Sequence, residues 1–251
     1  MCQCGEKIKL LNRPPILLIA LLITTLVTTC AAIPCRAQHK NPYHLDIIQT
    51  DKEYREQARL NPDMRMADLE KMIGGIRLDI RYATTNNFTG EVIYTAPKAY
   101  ARMPVAKALQ KVQDSLAFYH LGLKIFDAYR PYASTLRFYE VYHDTTFVAS
   151  PRSGSRHNRG CAVDLTLVEL SAGRELPMPT GYDDFSPKAS PDFTDLPDTV
   201  IANRTLLFGI MAHFGFSHYR SEWWHFDFKG WQENKLMDLT FEELEKANED
   251  K

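Results

Sequence analysis

The spacing of hydrophobic and polar residues changes several times along the chain, and each change predicts an element. Ile76 to Tyr82 runs Ile-Arg-Leu-Asp-Ile-Arg-Tyr, the period-two alternation of a half-buried strand. Thr84 to Gly90 carries neither period and reads as a loop. Pro104 opens a helix whose Val105, Leu109, Val112 and Leu116 share one stripe. Gly122 to Phe126 reads as a second strand, ended by Asp127-Ala128-Tyr129-Arg130-Pro131, and Ser134 suits the N-cap of a helix through His143. A loop rich in Ser, Gly and Arg over 150–160 leads into a strand from Cys161 to Val168. Residues 171–198 hold five prolines and no helical period, which predicts a long loop. Val200 to Phe214 is an apolar helix stopped by Gly215. Trp223 to Phe228 is the last strand expected, and Thr240-Phe241-Glu242-Glu243 has the form of a capping box opening a terminal helix. Helices and strands mix irregularly without an internal repeat. The pattern predicts a single α+β domain, 68–251, with a mostly antiparallel central sheet flanked by helices. Polar, mixed residues 38–67 read as an N-terminal linker and a surface helix.

The first 37 residues have a different character. Lys7, Lys9 and Arg13 precede an apolar run from Ile16 to Val27, followed by Thr28, Thr29, Cys30, Ala31 and Ala32. A charged start, a short apolar centre and a small-residue zone are the parts of an export signal. A membrane-spanning helix needs about 20 apolar residues, more than this run supplies, so no stable membrane span is expected in the mature chain. Two cut sites are compatible with residues 1–37 as a signal peptide. Val27-Thr28-Thr29-Cys30 resembles a bacterial lipobox and would leave a lipid anchor on Cys30; ordinary cleavage would fall between Ala31 and Gln38. Either places the mature protein outside the cytoplasm, in the periplasm.

Composition narrows the function classes. The 251 residues are 45% apolar and 24% charged with 12 Gly and 14 Pro, enough for a packed core and unlike a disordered chain. The net charge is -1, which argues against a nucleic-acid binder working by phosphate neutralisation. Cys2, Cys4, Cys30 and Cys35 lie in the leader, so the mature domain keeps Cys161 alone and cannot form an internal disulfide.

Two segments carry chemistry. Ser155-Arg156-His157-Asn158-Arg159-Gly160-Cys161-Ala162-Val163-Asp164 places a His in a loop and an Asp on a strand between apolar Val163 and Leu165. A carboxylate there is costly unless paired or bound to a metal. Glu222-Trp223-Trp224-His225-Phe226-Asp227-Phe228 alternates, with Trp224, Phe226 and Phe228 on one face and Trp223, His225 and Asp227 on the other. Glu222 and His225, three apart, would face opposite ways on one ideal strand, so Glu222 is expected in the preceding turn if both serve one site. Two His and one Asp form a three-ligand set with an open fourth position, the catalytic form of a zinc site. A nearby carboxylate that is not a ligand is what metal-assisted hydrolysis needs as general base.

Together these segments resemble the zinc D-Ala-D-Ala metallopeptidases of the M15 group, whose signature is S-x-H-x-x-G-x-A-x-D followed by E-x-x-H. The resemblance extends to the VanX-type D-alanyl-D-alanine dipeptidases through Tyr82-Ala83-Thr84, Asn86-Asn87-Phe88-Thr89-Gly90, Asp127-Ala128-Tyr129-Arg130-Pro131 and Ser221-Glu222-Trp223-Trp224-His225-Phe226. It implies the D-Ala-D-Ala metallopeptidase/Hedgehog-like fold and one Zn2+ per chain held by His157, Asp164 and His225. It further implies Glu222 as general base and acid and Arg130 as the group that stabilises the oxyanion. Met178-Pro179-Thr180-Gly181-Tyr182-Asp183 is similar to the family stretch whose Asp binds the substrate ammonium, which makes Asp183 substrate-binding. The loop departs from that pattern at Pro177 and Pro179, where Asp and Gly are common. Ser155 is a candidate contact to the substrate backbone.

The expected activity is hydrolysis of the D-alanyl-D-alanine dipeptide, and an exported enzyme would scavenge D-alanine from cell-wall turnover. A small dipeptide is then the partner, and nucleic acid is not. Two alternatives stand beside it: a D,D-carboxypeptidase or endopeptidase acting on peptidoglycan stems, and a zinc-bearing binding module without catalysis. An ammonium anchor at Asp183 argues against the first, and Glu222 with Arg130 against the second. His213 reads as a packed or partly exposed core residue, His218 as a turn residue, and Cys161 as a buried small hydrophobe.

Overall fold

The computed structural model describes Met1 and residues 41–249. The export signal and the anchor at Cys30 lie, Met1 apart, outside the described residues. Among those described, no helix is long and apolar enough to cross a membrane.

The central sheet has five strands, in the order β3 (Arg77–Leu78), β5 (Leu121–Asp127), β6 (Ala162–Glu169), β8 (Glu222–Phe228) and β7 (Phe216–Tyr219). Only the β3–β5 pair is parallel; the other three are antiparallel. Two small ladders tie in other segments: β1 (Ile47–Ile48) runs parallel to β9 (Leu236–Met237), and β2 (Met66–Asp68) antiparallel to β4 (Tyr100–Arg102). The helices are α1 (Asp51–Leu60), α2 (Leu69–Met72), α3 (Met103–Ala117), α4 (Tyr132–Val141), α5 (Asp198–His213) and α6 (Phe241–Glu249).

Strand β6 is the axis of the molecule. Every residue from Ala162 to Val168 is buried, so the strand is covered on both faces and its polar members need partners. Helix α3 packs on β5 through the stripe of Val105, Leu109, Val112 and Leu116, all at 0–1% exposure. Helix α6 starts at the Thr240 box, where Glu243 N–H donates to Thr240 Oγ1 and Thr240 N–H to Glu243 Oε2.

Several boundaries differ from the sequence reading. The strand expected over 76–82 pairs only at Arg77–Leu78; a 3-10 turn, Arg81–Ala83, then swings Tyr82 into the core. Helix α4 begins after Pro131, whose φ of -56° already suits a helix start, and ends at Val141; Ser134 sits inside it, buried. The loop over 171–198 contains a 3-10 turn at Pro187–Ala189 and a bridge from Glu175 to Val168. Strand β8 is not the last, because β9 follows it. The segment 41–67 does carry a helix, α1, closed by a Thr50–Glu53 capping box. It is also sewn to the chain's end: Tyr54 OH donates to Asn248 Oδ1 and accepts from Met66 N–H.

Candidate active site

Antiparallel pairing of β6 with β8 sets Asp164 opposite His225. His157 reaches the same point from the 3-10 turn His157–Arg159, just before β6. That turn ends on Gly160 at φ +69°, where an added Cβ would meet Met66 Cε at 2.7 Å. The left-handed turn and the close approach both require glycine.

The two imidazoles are held in defined tautomers. His157 Nδ1 lies 2.6 Å from the carbonyl oxygen of Ala128, which can only accept, so Nδ1 carries the proton and Nε2 keeps its lone pair. His225 Nε2 lies 2.9 Å from Asp227 Oδ1, so Nε2 keeps its proton and Nδ1 is the nitrogen that offers a lone pair once the ring is neutral. His157 Nε2, His225 Nδ1 and Asp164 Oδ1 then form a triangle with edges of 3.1, 3.0 and 3.3 Å. Asp164 Oδ1 is buried and aligned with neither ring as a hydrogen bond, while Oδ2 accepts from Tyr182 OH at 2.9 Å. Ligand bonds of about 2.0–2.1 Å in a tetrahedron give ligand–ligand edges of about 3.3 Å. Three lone-pair donors at that spacing, with their far sides fixed by Ala128 O, Asp227 and Tyr182, fit a tetrahedral metal ion with one open position.

Glu222 is the first residue of β8 rather than part of the turn before it. The β7–β8 register breaks here: Tyr219 pairs with Glu222, but His218 pairs with Phe226. The residues between bulge, and Glu222 Oε2 comes within 3.9 Å of His225 Nδ1. Trp223 and Trp224 are both fully buried, because β8 lies inside the sheet with Glu222 to Phe226 covered on both faces. Burial pushes the Glu222 carboxyl up to about 8, with His225 opposing and the charges of Asp164 and Asp183 adding to the rise.

Arg130 stands on the other side of the triangle. Its Nε and Nη2 donate to Asp127 Oδ2 at 3.0 and 2.8 Å, and its face lies over the Phe138 ring at 4.7 Å. Burial disfavours its charge, but Asp127 holds it fully protonated; the residue borders the cavity, and Nη1 makes no hydrogen bond to the described residues. Asp183 adopts φ +62°, a left-handed conformation that Asp tolerates at some cost. Its Oδ1 accepts from Tyr82 OH at 3.0 Å, Oδ2 is buried without a hydrogen-bond partner among the described residues, and burial lifts its carboxyl to about 7. Ser155 Oγ accepts from His157 N–H at 3.1 Å, which steadies the ligand turn at the cavity wall.

All seven expected residues line one cavity of about 390 Å³, whose walls also include Tyr82, Phe185 and Trp224. Sequence reasoning did not single out Asp127 as the counter-ion of Arg130, although an acid three residues before it at a strand end was the available sign. Tyr82 and Tyr182, which hold Asp183 and Asp164, stood in the stretches that carry the resemblance but with no role assigned to them. His213 and His218 are exposed, His213 at a helix end edge-on to Phe214 and His218 stacked on Phe208. Cys161 is buried, its thiol pushed up to about 12 by burial.

A family model described as D-ala-D-ala dipeptidase (Peptidase_M15) matches residues 63–246. A D-alanyl-D-alanine dipeptidase of Streptomyces coelicolor is 34% identical over 183 residues, spanning 65% of this chain and 91% of its own. One from Escherichia coli K12 is 32% identical over 162 residues, 64% of this chain and 83% of its own. A solved vancomycin-resistance D,D-pentapeptidase with Zn(II) is 15% identical, covers 55% of this chain and 78% of its own, and has a TM-score of 0.34.

Proposed function

The chain belongs to the D-ala-D-ala dipeptidase family of metallopeptidases, and from that premise we propose that it hydrolyses free D-alanyl-D-alanine to two D-alanines with one zinc per chain. The observation that carries the dipeptide reading is Asp183, a buried carboxylate with one unpartnered oxygen on the wall of the cavity that holds the ligand triangle.

His157 Nε2, Asp164 Oδ1 and His225 Nδ1 would hold the zinc. When bound there, zinc polarises the scissile carbonyl and acidifies the attacking water. Glu222 takes a proton from that water and returns one to the leaving amine. A carboxyl raised by burial above the usual carboxylate range holds a proton firmly enough to return it to the amine. Arg130, fixed through Asp127, offers Nη1 to the oxygen that gains charge as the carbonyl carbon becomes tetrahedral. Asp183 neutralises the substrate ammonium, and Ser155 borders the substrate backbone. The N-terminal segment supports export to the periplasm, where D-alanine would be recovered from wall turnover; a lipid anchor on Cys30 is the variant of that placement to be read from the mature protein's mass.

The test compares free D-Ala-D-Ala with an N-acylated D-Ala-D-Ala stem peptide, using enzyme stripped by chelator and reloaded with zinc. Turnover should depend on the metal and favour the free dipeptide by about 10²-fold or more, since acylation removes the cation and leaves Asp183 buried alone. Equal rates on both peptides would overturn the dipeptide reading in favour of a carboxypeptidase.

A further inference from the structure

We propose that Arg156, which stands between Ser155 and His157, binds the C-terminal carboxylate of the substrate and so restricts the enzyme to peptides that end one residue past the cut. The inference rests on the dipeptidase reading. A free dipeptide is a zwitterion, and the cavity must meet a carboxylate as well as an ammonium.

The cations bordering the cavity are unequal. Arg130 spends Nε and Nη2 on Asp127. Arg159 donates through Nη1 to the carbonyl of Asn234. Arg156 faces Asp227 Oδ2 through Nε, at 3.3 Å, and its two Nη groups make no hydrogen bond to the described residues. A guanidinium has five N–H donors in a planar fork; Nε is buried in the ion pair without forming a hydrogen bond, and the four N–H groups on the two Nη atoms are open to an anion. The plane is pre-set. The Arg156 guanidinium lies over the rings of Tyr219 and Trp231, at 5.2 and 4.8 Å, and all three border the cavity. Ordering an arginine side chain is costly, and here the stack has already done it.

Asp183, held by Tyr82, and Arg156, against Asp227 of β8 and Tyr219 of β7, both border the cavity that holds the ligand triangle. The cavity therefore offers one anionic and one cationic group, the complement of a zwitterion.

The experiment compares D-Ala-D-Ala with its C-terminal amide on zinc-loaded wild type, Arg156→Gln and Arg156→Lys. It measures kcat/KM, and also calorimetric binding of both peptides in a Glu222→Gln background, where turnover is not needed. The Arg156 side chain is about one-third exposed, so screening limits the expected preference for the acid to about tenfold to hundredfold. Arg156→Gln should bring that ratio close to one, mainly through KM, and Arg156→Lys should keep part of it. An unchanged ratio in Arg156→Gln would overturn the proposal. So would a parallel loss on acid and amide, because that is the signature of an arginine that only steadies Asp227 and His225. If wild type cleaved neither peptide, the dipeptidase reading would fall, while the binding ratios would still decide the role of Arg156.

Discussion

Removing the charge behind His225 should weaken the metal site in graded steps. Asp227 Oδ1 sits 2.9 Å from His225 Nε2, and the side chain is 14% exposed. It fixes which ring nitrogen bears the proton and raises the ring's basicity. Asp227→Asn keeps an acceptor oxygen but loses the charge. A charge-assisted hydrogen bond is worth about 1.5–3 kcal/mol and a neutral one about 0.5–1.5, so the loss is about 1–1.5 kcal/mol, or roughly tenfold in zinc affinity. Asp227→Ala removes the acceptor and leaves the buried ring N–H unpaired, which extends the loss toward a hundredfold, the upper range for partners of metal ligands. The assay is competition for zinc against a chromophoric chelator at pH 7, with circular dichroism verifying that both variants fold. The order wild type, Asn, Ala is the result expected. Affinities within about threefold for all three would refute the argument, and would mean that packing against Tyr219, 5.3 Å from the ring, orients His225 unaided.

In the metal-free site burial disfavours the His225 cation, but Asp164 and Asp227 outweigh it and hold the ring protonated up to about pH 10; zinc must expel that proton. Apparent zinc affinity should therefore rise about tenfold per pH unit between pH 6 and 8, and a flat profile in the chelator competition would exclude a displaced proton. Glu222→Gln should retain zinc and fold while kcat drops by about 10²–10⁴; turnover within threefold of wild type would move the general base elsewhere. Arg102, 1% exposed, donates to the carbonyls of Met64, Arg159 and Lys235 and pairs with no carboxylate among the described residues. Arg102→Met leaves three buried acceptors unpaired at about 1–3 kcal/mol each, partly offset by no longer burying a charge, so urea unfolding should show a loss of roughly 2–4 kcal/mol. A change under about 0.5 kcal/mol would show that these carbonyls find other donors.

Legibility followed the range of the forces involved. The α3 stripe and the Thr240 box depend on residues three and four apart, and both stand where the pattern put them. Strand β7 and the short ladders did not show, because four-, three- and two-residue strands have no period of their own and exist through partners such as Leu236, 189 positions from Ile47. The site divides the same way. His157, Asp164, Glu222 and His225 were readable as two local motifs, yet the bulge that lets Glu222 and His225 share a face is a property of the β7–β8 pairing. Asp183 depends on Tyr82, 101 residues away, and no local spacing announces that contact. Arg156 was hidden differently, as the unspecified position of a motif whose neighbours drew the attention.

The wall behind Asp183 bears on the choice between dipeptide and stem peptide. Tyr82, its hydrogen-bond partner, is 2% exposed, and its ring packs against Phe88, Tyr94, Phe138 and Tyr182. A peptide that ran on behind Asp183 would meet this aromatic layer, and displacing rings from a packed core costs several kcal/mol. It would also bring an amide where the cavity offers a carboxylate. Ionised, Asp183 would then be buried without its cation; neutral, it would donate to a group with no reason to be there. A free ammonium meets neither obstacle. It ends the chain before the wall and supplies the charge that lets a carboxyl lifted to about 7 stay ionised at neutral pH. Backed by packed rings and matched electrostatically, Asp183 favours a substrate whose chain ends in an ammonium there, which is why the carboxypeptidase alternative fits this cavity poorly even though it would use the same metal ligands.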